Sequence, residues 1–332
     1  MLYAEEMADI RIAVIGAGSW GTTVASVAAA NTPTVLWARR ESVVKAINAD
    51  HVNPDYINSV PLSALLRATS SLEEAVSSAD VLVMAVPSQG FRQVLEETKP
   101  FLRPWVPVVS LSKGLEAGSM LRMSEVAKQV LPGHPVAVLT GPNLASEISV
   151  GQPAATVVAI DDAVIATALQ ELFSSPTFRV YTNPDVVGCE IAGVVKNVIA
   201  IASGMAQGMG FGDNTRATLI TRGLAEMTRL GMAMGSDGYT FAGLAGMGDL
   251  ILTTCGALSR NRALGLELAA GTSLATYLRE HRSVAEGVNT ARAAVLRGAR
   301  HGVELPIAEK VADVLFEGKA PRRAIGELME RT

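Results

Sequence analysis

Cysteine is nearly absent. Cys189 and Cys255 are the only two in 332 residues, too few for a disulfide framework, and neither has a second cysteine at zinc-finger or CxxC spacing. Such sparing use suits a reducing cytoplasm. Histidine is equally scarce. His51, His134, His281 and His301 show no HExxH or HxH spacing, so a histidine-based metal site is not expected; carboxylate and water sites for Mg²⁺ follow no such spacing and stay open. A basic excess is also missing. Lys and Arg number 28 against 32 Asp and Glu, which argues against a nucleic-acid partner.

What the chain does have is a charge-free run of 27 residues, Ile12 to Ala38, long enough to span a bilayer. Its composition argues against that. Gly16, Gly18 and Gly21 sit in its middle, and Ser19, Thr22, Thr23, Asn31 and Pro33 interrupt the rest. The run is punctuated like strand, turn and helix, and it lacks the basic n-region of a secretory signal. No membrane insertion is expected, and the positive mean hydropathy of +0.30 is read as buried core. Met7 stands just before Asp9-Ile10-Arg11, so the first six residues read as a start-site extension.

The length suggests about two domains. Up to about residue 181, short β-branched runs alternate with helical stretches: Ile10–Ile15, Thr34–Trp37, Val81–Val86, Val106–Leu111, Val136–Thr140, Ala155–Ile160 and Phe178–Tyr181. Alternation of this kind predicts an α/β fold, a Rossmann-like doubly wound parallel sheet, with helical crossovers at Thr69–Ser78 and Met120–Leu131. After Asn183-Pro184 the valine runs give way to Ala/Leu/Met-rich segments, Val186–Met205, Thr215–Met234, Ser259–Ala270, Glu286–Arg300 and Ile307–Phe316. Gly235, Gly271, Gly302 and Gly318 follow several of them, as left-handed helix caps do. The expected division is residues 7–184, binding a dinucleotide, and an all-α C-terminal domain, 185–332, for substrate and catalysis.

Gly16-Ala17-Gly18-Ser19-Trp20-Gly21 follows the first strand and opens an alanine-rich helix, which is the context a GxGxxG motif requires. Gly16 permits the turn, Gly18 lets the backbone approach a pyrophosphate, and Gly21 lets helix and strand pack closely. The helix N-terminus then offers amide N–H groups to the anion. At the end of the second strand an NAD-specific site carries Asp or Glu; this chain has Ala38-Arg39-Arg40. Guanidinium groups there favour a 2′-phosphate, so NADP or NAD is the expected cofactor, with NADPH preferred. The competing reading of Arg39 and Arg40 is a solvated basic turn.

Lys196 is the only cation between Glu190 and Asp213. A lysine among apolar helix neighbours either snorkels to water or is buried with the lowered pKa that proton transfer needs. Lys113, in Ser112-Lys113-Gly114, and Gly141-Pro142-Asn143-Leu144-Ala145 both follow strands. Each stands at the sheet edge where doubly wound folds bind ligands, or is an ordinary loop. Leu244–Leu250 reads as a tight glycine turn carrying one acid, Asp249. Ser259-Arg260-Asn261-Arg262 opens a helix with Ser259 as N-cap, an arrangement suited to a phosphate monoester or simply to capping beside surface arginines. Ser283-Val284-Ala285-Glu286 fits a capping box, which by itself explains Glu286.

In order along the chain these residues resemble the bacterial-type NAD(P)-dependent sn-glycerol-3-phosphate dehydrogenases. The resemblance runs from about Ile10 to Leu328. It rests on Gly16–Thr22, Ser112–Leu115, Val195–Ala200, Thr221–Met227, Gly243–Leu250, Thr253–Cys255, Ser259–Arg262 and Glu286-Gly287. It implies that Lys196 donates a proton as dihydroxyacetone phosphate is reduced to sn-glycerol 3-phosphate, and accepts it in reverse. It also implies that Lys113 touches both cofactor and substrate, with Gly141, Asn143, Asp249, Ser259, Arg260 and Asn261 around the sugar phosphate. Ser19, Trp20, Arg39, Arg40, Ala145, Arg260, Val284 and Glu286 would contact the dinucleotide. A cytoplasmic homodimer serving glycerophospholipid synthesis is implied as well. The chain departs from the pattern at Leu144, where the family has an aromatic residue, at Asn143, often Ser or Thr, and at Thr23-Val24. Two other readings fit less of the sequence. A β-hydroxyacid or ketopantoate-type reductase shares the two-domain layout, but the phosphate-suited Ser259-Arg260-Asn261 argues for a phosphorylated substrate. A non-catalytic NADPH-binding sensor would need neither Lys113 nor Lys196.

Overall fold

A computed structural model describes residues 10–58, 60–281 and 285–330. The chain divides into two units: residues up to Ser112 with Met123–Val186, and Lys113–Arg122 with the chain from Val187 onward. The decapeptide Lys113–Arg122 thus belongs to the second unit although both its neighbours in sequence belong to the first.

The first unit is an eight-stranded sheet: β1 (Ile12–Ile15), β2 (Thr34–Trp37), β3 (Arg67–Thr69), β4 (Val81–Met84), β5 (Val108–Ser110), β6 (Val136–Thr140), β7 (Ala154–Ala159) and β8 (Phe178–Asn183). Its order is β3-β2-β1-β4-β5-β6-β7-β8. The helices are α1 (Ser19–Ala29), α2 (Glu41–Asp50), α3 (Leu72–Val76), α4 (Phe91–Thr98), α5 (Met123–Val130), α6 (Ala145–Ser149) and α7 (Ala163–Phe173). β1 and β4 are buried along their whole length, as strands covered on both faces must be. That burial accounts for the charge-free run. Register places Ile15 beside both Trp37 and Met84, so Gly16, Ala38 and Ala85 leave the sheet together at one edge, where strand order reverses around β1.

Two features depart from expectation. The sheet is mixed, because β6 and β7 pair antiparallel. Only the five-residue α6 lies between them, so the chain turns back at the edge where β6 ends instead of crossing over, as a parallel return requires. β3 went unforeseen: it is three residues long and pairs with β2 alone, too short to show an alternating pattern.

The second unit is helical: α8 (Val186–Gly208), α9 (Asp213–Ala233), α10 (Gly238–Ala242), α11 (Asp249–Cys255), α12 (Arg260–Ala269), α13 (Leu274–Glu280), α14 (Glu286–Arg300), α15 (Pro306–Phe316) and α16 (Pro321–Met329). By length and hydropathy α8 could cross a membrane, yet 94% of its most apolar window is buried inside the protein. Gly235, Gly271, Gly302 and Gly318 all have positive φ, the left-handed conformation of a helix cap. Leu244–Gly248, expected as a tight turn, is instead a π-helical turn that runs straight into α11. Its bond from Gly248 N–H to Gly243 C=O, 3.1 Å, spans five residues, a wider loop of backbone that three glycines make accessible.

α8 and α12 cross almost in backbone contact. A Cβ on Gly204 would lie 2.1 Å from the Arg262 carbonyl oxygen, and one on Gly265 2.2 Å from that of Ile201. This close approach lets side chains at the start of α12 reach those one turn back on α8. On α9, buried Glu226 accepts the Ile307 amide at 2.8 Å and the Ala308 amide at 3.5 Å, capping α15, whose own N-cap residue Leu305 supplies no side-chain bond.

Candidate functional site

In the first unit the glycine loop is built by exclusion. Gly16 has φ +117°, and a Cβ there would sit 2.5 Å from the Ala85 carbonyl oxygen. A Cβ on Gly21 would lie 2.1 Å from the Gly16 carbonyl oxygen, so α1 packs onto the loop only with glycine at that position. Gly18 differs. It has ordinary extended geometry at the N-cap of α1, and a Cβ there would meet nothing within 4 Å. The fold therefore does not need glycine at 18, and its absence of a side chain leaves the backbone open to a close-approaching ligand. No side chain caps α1, which leaves its N-terminal amides to an anion. The Trp20 indole N–H is buried without a hydrogen-bond partner among the described residues, the kind of donor a ligand oxygen would satisfy. These features fit a dinucleotide pyrophosphate.

One residue that holds this loop was not evident from the sequence. Asn53 is fully buried and donates to the Ala17 carbonyl at 3.0 Å and the Thr22 hydroxyl at 2.9 Å. A lone asparagine in a polar loop carries no pattern that would reveal this. Arg39 and Arg40 follow β2 at the same sheet edge, both exposed. Arg40 is engaged by Asp55 at 2.5 Å, whereas Arg39 makes no ion pair among the described residues, so the two are not equivalent. Ser19 and Ala145 come together through the Thr23 hydroxyl, which donates to their carbonyls at 2.9 and 3.5 Å. Asn143 is bound to the overhang of β7: its Oδ1 accepts the Thr156 hydroxyl at 2.9 Å, and its Nδ2 donates to the Ala155 carbonyl at 3.3 Å. Gly141, with φ +148°, leaves β6 just before it.

The second unit gathers the charged residues. Lys196 on α8 is buried and donates from Nζ to Asp249 Oδ1 at 2.8 Å and to Thr253 Oγ1 at 2.6 Å. Asp249 Oδ2 meets Lys113 Nζ at 2.7 Å. Thr253 lies one turn after Asp249 on α11 and donates to the Asp249 carbonyl at 2.7 Å. Burial pushes the Lys196 ammonium down to about 8, a tendency the Lys113 and Arg260 charges reinforce and Asp249 partly opposes. Burial alone would raise the Asp249 carboxyl; the two lysines outweigh it and hold it below the usual carboxylate range. Of the three protons on Lys196 Nζ, two are committed to protein oxygens. The third has no acceptor among the described residues.

Ser259 is the N-cap of α12, its hydroxyl accepting the Arg262 amide at 3.2 Å. Asn261, beside Arg260 on the first turn, donates to Asn197 Oδ1 at 3.0 Å and accepts the Gly287 amide at 2.9 Å. Both ends of its amide are thus bonded within the unit. Asn197 and Thr253 were missed as individual site residues; the i, i+4 spacing of Asp249 and Thr253 on a helix was the available signal. Glu286 is the first residue of α14, with Ala285 at the N-cap, so it does not hold the third helical position that a capping box gives its acid. Val284 lies outside the described residues, as does Ser283.

The sheet unit thus offers a loop that fits a dinucleotide, and the helical unit a lysine–carboxylate cluster in the same unit as a phosphate-suited helix start; comparison with known proteins then identifies the family. A glycerol-3-phosphate dehydrogenase (NAD(P)+) of Sphingopyxis alaskensis is 55% identical over 92% of this chain and 92% of its own length. One from Geobacter sulfurreducens is 52% identical over 97% of each. The crystal structure of glycerol-3-phosphate dehydrogenase from Coxiella burnetii superposes with a TM-score of 0.92 at 36% identity, covering 97% of this chain and 99% of that one. Models for the N-terminus and C-terminus of NAD-dependent glycerol-3-phosphate dehydrogenase match residues 11–166 and 185–326. With both halves matched in order, the chain belongs to the NAD-dependent glycerol-3-phosphate dehydrogenase family.

Proposed function

We propose that this protein is an NAD(P)-dependent sn-glycerol-3-phosphate dehydrogenase, reversibly reducing dihydroxyacetone phosphate to sn-glycerol 3-phosphate. The observation that carries the reading is buried Lys196, held by Asp249 and Thr253 with its pKa brought down to about 8. A donor with a pKa near the working pH is both protonated and willing to give its proton up. NADPH or NADH, bound at the glycine loop, would supply the hydride that reaches substrate C2. Lys196 gives its proton to the C2 oxygen and takes it back in the oxidative direction. Lys113, tied to the other oxygen of Asp249, brings a second positive charge to the oxyanion that develops at C2. Asp249 keeps both ammonium groups in place and offsets their mutual repulsion. Ser259, Arg260 and Asn261 at the start of α12 suit the phosphate, and Gly141 and Asn143 complete the substrate set inferred from the sequence.

Arg39 is the residue on which NADPH preference rests, since Arg40 is already engaged by Asp55. Ser19, Trp20, Ala145, Arg260 and Glu286 are the other dinucleotide contacts in this reading. The burial of α8 supports a protein that does not insert in membranes; a cytoplasmic homodimer feeding glycerophospholipid synthesis completes the proposal. Single-turnover oxidation of NADPH by dihydroxyacetone phosphate tests it, with a 2-oxo carboxylate at equal concentration as the control. Turnover of the phosphate ester alone is expected. Folded protein that oxidises no NADPH would leave only a binding role. A lower KM for NADPH than for NADH is expected, and a strong NADH preference would remove Arg39 from its assigned role.

A further inference from the structure

We propose that Lys113–Arg122 is a strap fastened to the helical unit so as to hold the Lys113 ammonium against Asp249, with Arg122, Glu190 and Asn197 as its positioning residues. The proposal rests on the reading above for the work Lys113 does, but the strap itself is a matter of geometry. Ser112 before it and Met123 after it both belong to the sheet unit, so its neighbours in sequence do not place Lys113 beside Asp249. Anchors from the helical unit do.

At its start the Lys113 carbonyl accepts Asn197 Nδ2 at 3.1 Å. Asn197 is fixed in turn by Asn261, and Asn261 by the Gly287 amide, so a line of amides runs from the first turn of α14 to the strap. In its middle Leu115 and Met120 are buried in the core that α8 also lines. The strap closes on itself through a Leu115–Arg122 bridge and the Glu116 N–H to Leu121 C=O bond, 3.0 Å. Met120 is held in the left-handed region at φ +60°, a conformation that needs support from its surroundings; its carbonyl accepts Arg297 Nη1 from α14 at 2.5 Å. At its end Arg122 Nη1 meets Glu190 Oε2 of α8 at 2.6 Å, the side chains 11% and 3% exposed. Removing one partner of such a pair takes away a short charge-assisted bond between the strap and α8.

A loosened strap has a signature beyond lost stability. The charged groups facing Lys196 are Asp249, Lys113 and Arg260, and the Lys113 charge lowers the Lys196 pKa. Taking Lys113 away from Asp249 therefore lets Lys196 titrate at higher pH.

The test compares Glu190→Gln, Arg122→Gln and Arg122→Lys with the wild-type enzyme by amide hydrogen exchange and steady-state kinetics. In both glutamine variants the peptide covering residues 113–122 should exchange about tenfold faster, the loss of one charged hydrogen bond, while the β6 peptide stays unchanged. KM for dihydroxyacetone phosphate should rise about fivefold or more with KM for NADPH within about twofold. The alkaline limb of kcat/KM should move up by about half a pH unit, and Arg122→Lys should recover most of each change. Strap exchange or substrate KM within twofold of wild type in both glutamine variants overturns the proposal, as does an unmoved alkaline limb. Should Glu190→Gln fail to fold, Arg122→Gln decides. If the wild-type enzyme turns over no dihydroxyacetone phosphate, the functional reading fails while the exchange data still decide the strap.

Discussion

The sheet unit and the helical unit prepare for negative charge by different means. In the first, the donors are main-chain amides at the start of α1, presented because Gly16 and Gly21 let the backbone fold tightly and Gly18 keeps it bare. In the second, they are the ammonium groups of buried Lys196 and partly buried Lys113, both held on one carboxylate, Asp249. Main-chain donors cannot change protonation state, so the sheet unit is suited to hold a ligand of fixed charge. Buried Lys196, its pKa brought down to about 8, can, so the helical unit is where a proton can move. On the proposed function, the difference separates binding from chemistry within one polypeptide.

The sharpest way to break that division is Lys196→Ala. It should lower kcat about 10²–10⁴-fold, the usual contribution of a positioned general acid, while NADPH binding, followed by fluorescence titration, stays within about twofold. In the wild-type enzyme kcat/KM for reduction should fall as pH rises through about 8, because the donor must be protonated; residual activity of the variant should not. Equal loss of NADPH affinity and turnover would mean that the two units do not divide the work in this way.

The second test sharpens the sheet half. Gly21→Ala puts a methyl 2.1 Å from the Gly16 carbonyl oxygen and should cost about 1–3 kcal/mol of stability or more. Gly18→Ala meets nothing within 4 Å. Its stability should stay within about 0.5 kcal/mol, while KM for NADPH rises about tenfold as amide donors are held away from the pyrophosphate. Thermal melts beside cofactor KM values check both. A Gly18→Ala enzyme with unchanged cofactor KM would show that the loop does not touch the dinucleotide.

How much of this was legible before the fold was known follows the same division. The glycine loop could be read from six consecutive residues, since a backbone-built site is local in sequence. Each charged member of the helical cluster was noticed, but Lys113, Lys196 and Asp249 are far apart in sequence, and only the fold brings both lysines onto the one carboxylate. Asn53 and Asn197 carry no periodicity or motif of their own; their roles exist only through what they touch. The antiparallel β7 was hidden for a different reason. Strand direction depends on whether a connection crosses the sheet, and α6 at five residues was too short to recognise in sequence.

The third test lies inside the helical unit and leaves catalysis untouched, since not every buried acid there serves chemistry. Glu226 caps α15, and burial pushes its carboxyl up to about 7, although the Ile307 and Ala308 amides favour the ionised form. Because this carboxyl holds its proton more tightly folded than unfolded, stability should decline as pH rises from about 4.5 to about 7 and level off above, by an amount of order 3 kcal/mol. Glu226→Gln should flatten that slope in melts taken from pH 5 to 7 and leave kcat within twofold. A slope identical to wild type would assign the pH dependence to other groups.

The burial of α8 also bears on how the chain comes off the ribosome. Its segment has a mean hydropathy of 1.7, and of the buried core residues around it only Leu115 and Met120 precede it in sequence. The rest of that core is synthesised later. At about 5–20 residues per second, the roughly 120 residues that follow take on the order of 6–25 s to add. For that interval the nascent chain carries an exposed apolar helix of membrane-like composition, so the helical unit closes late, and holdase chaperones have their clearest target at Val186–Gly208.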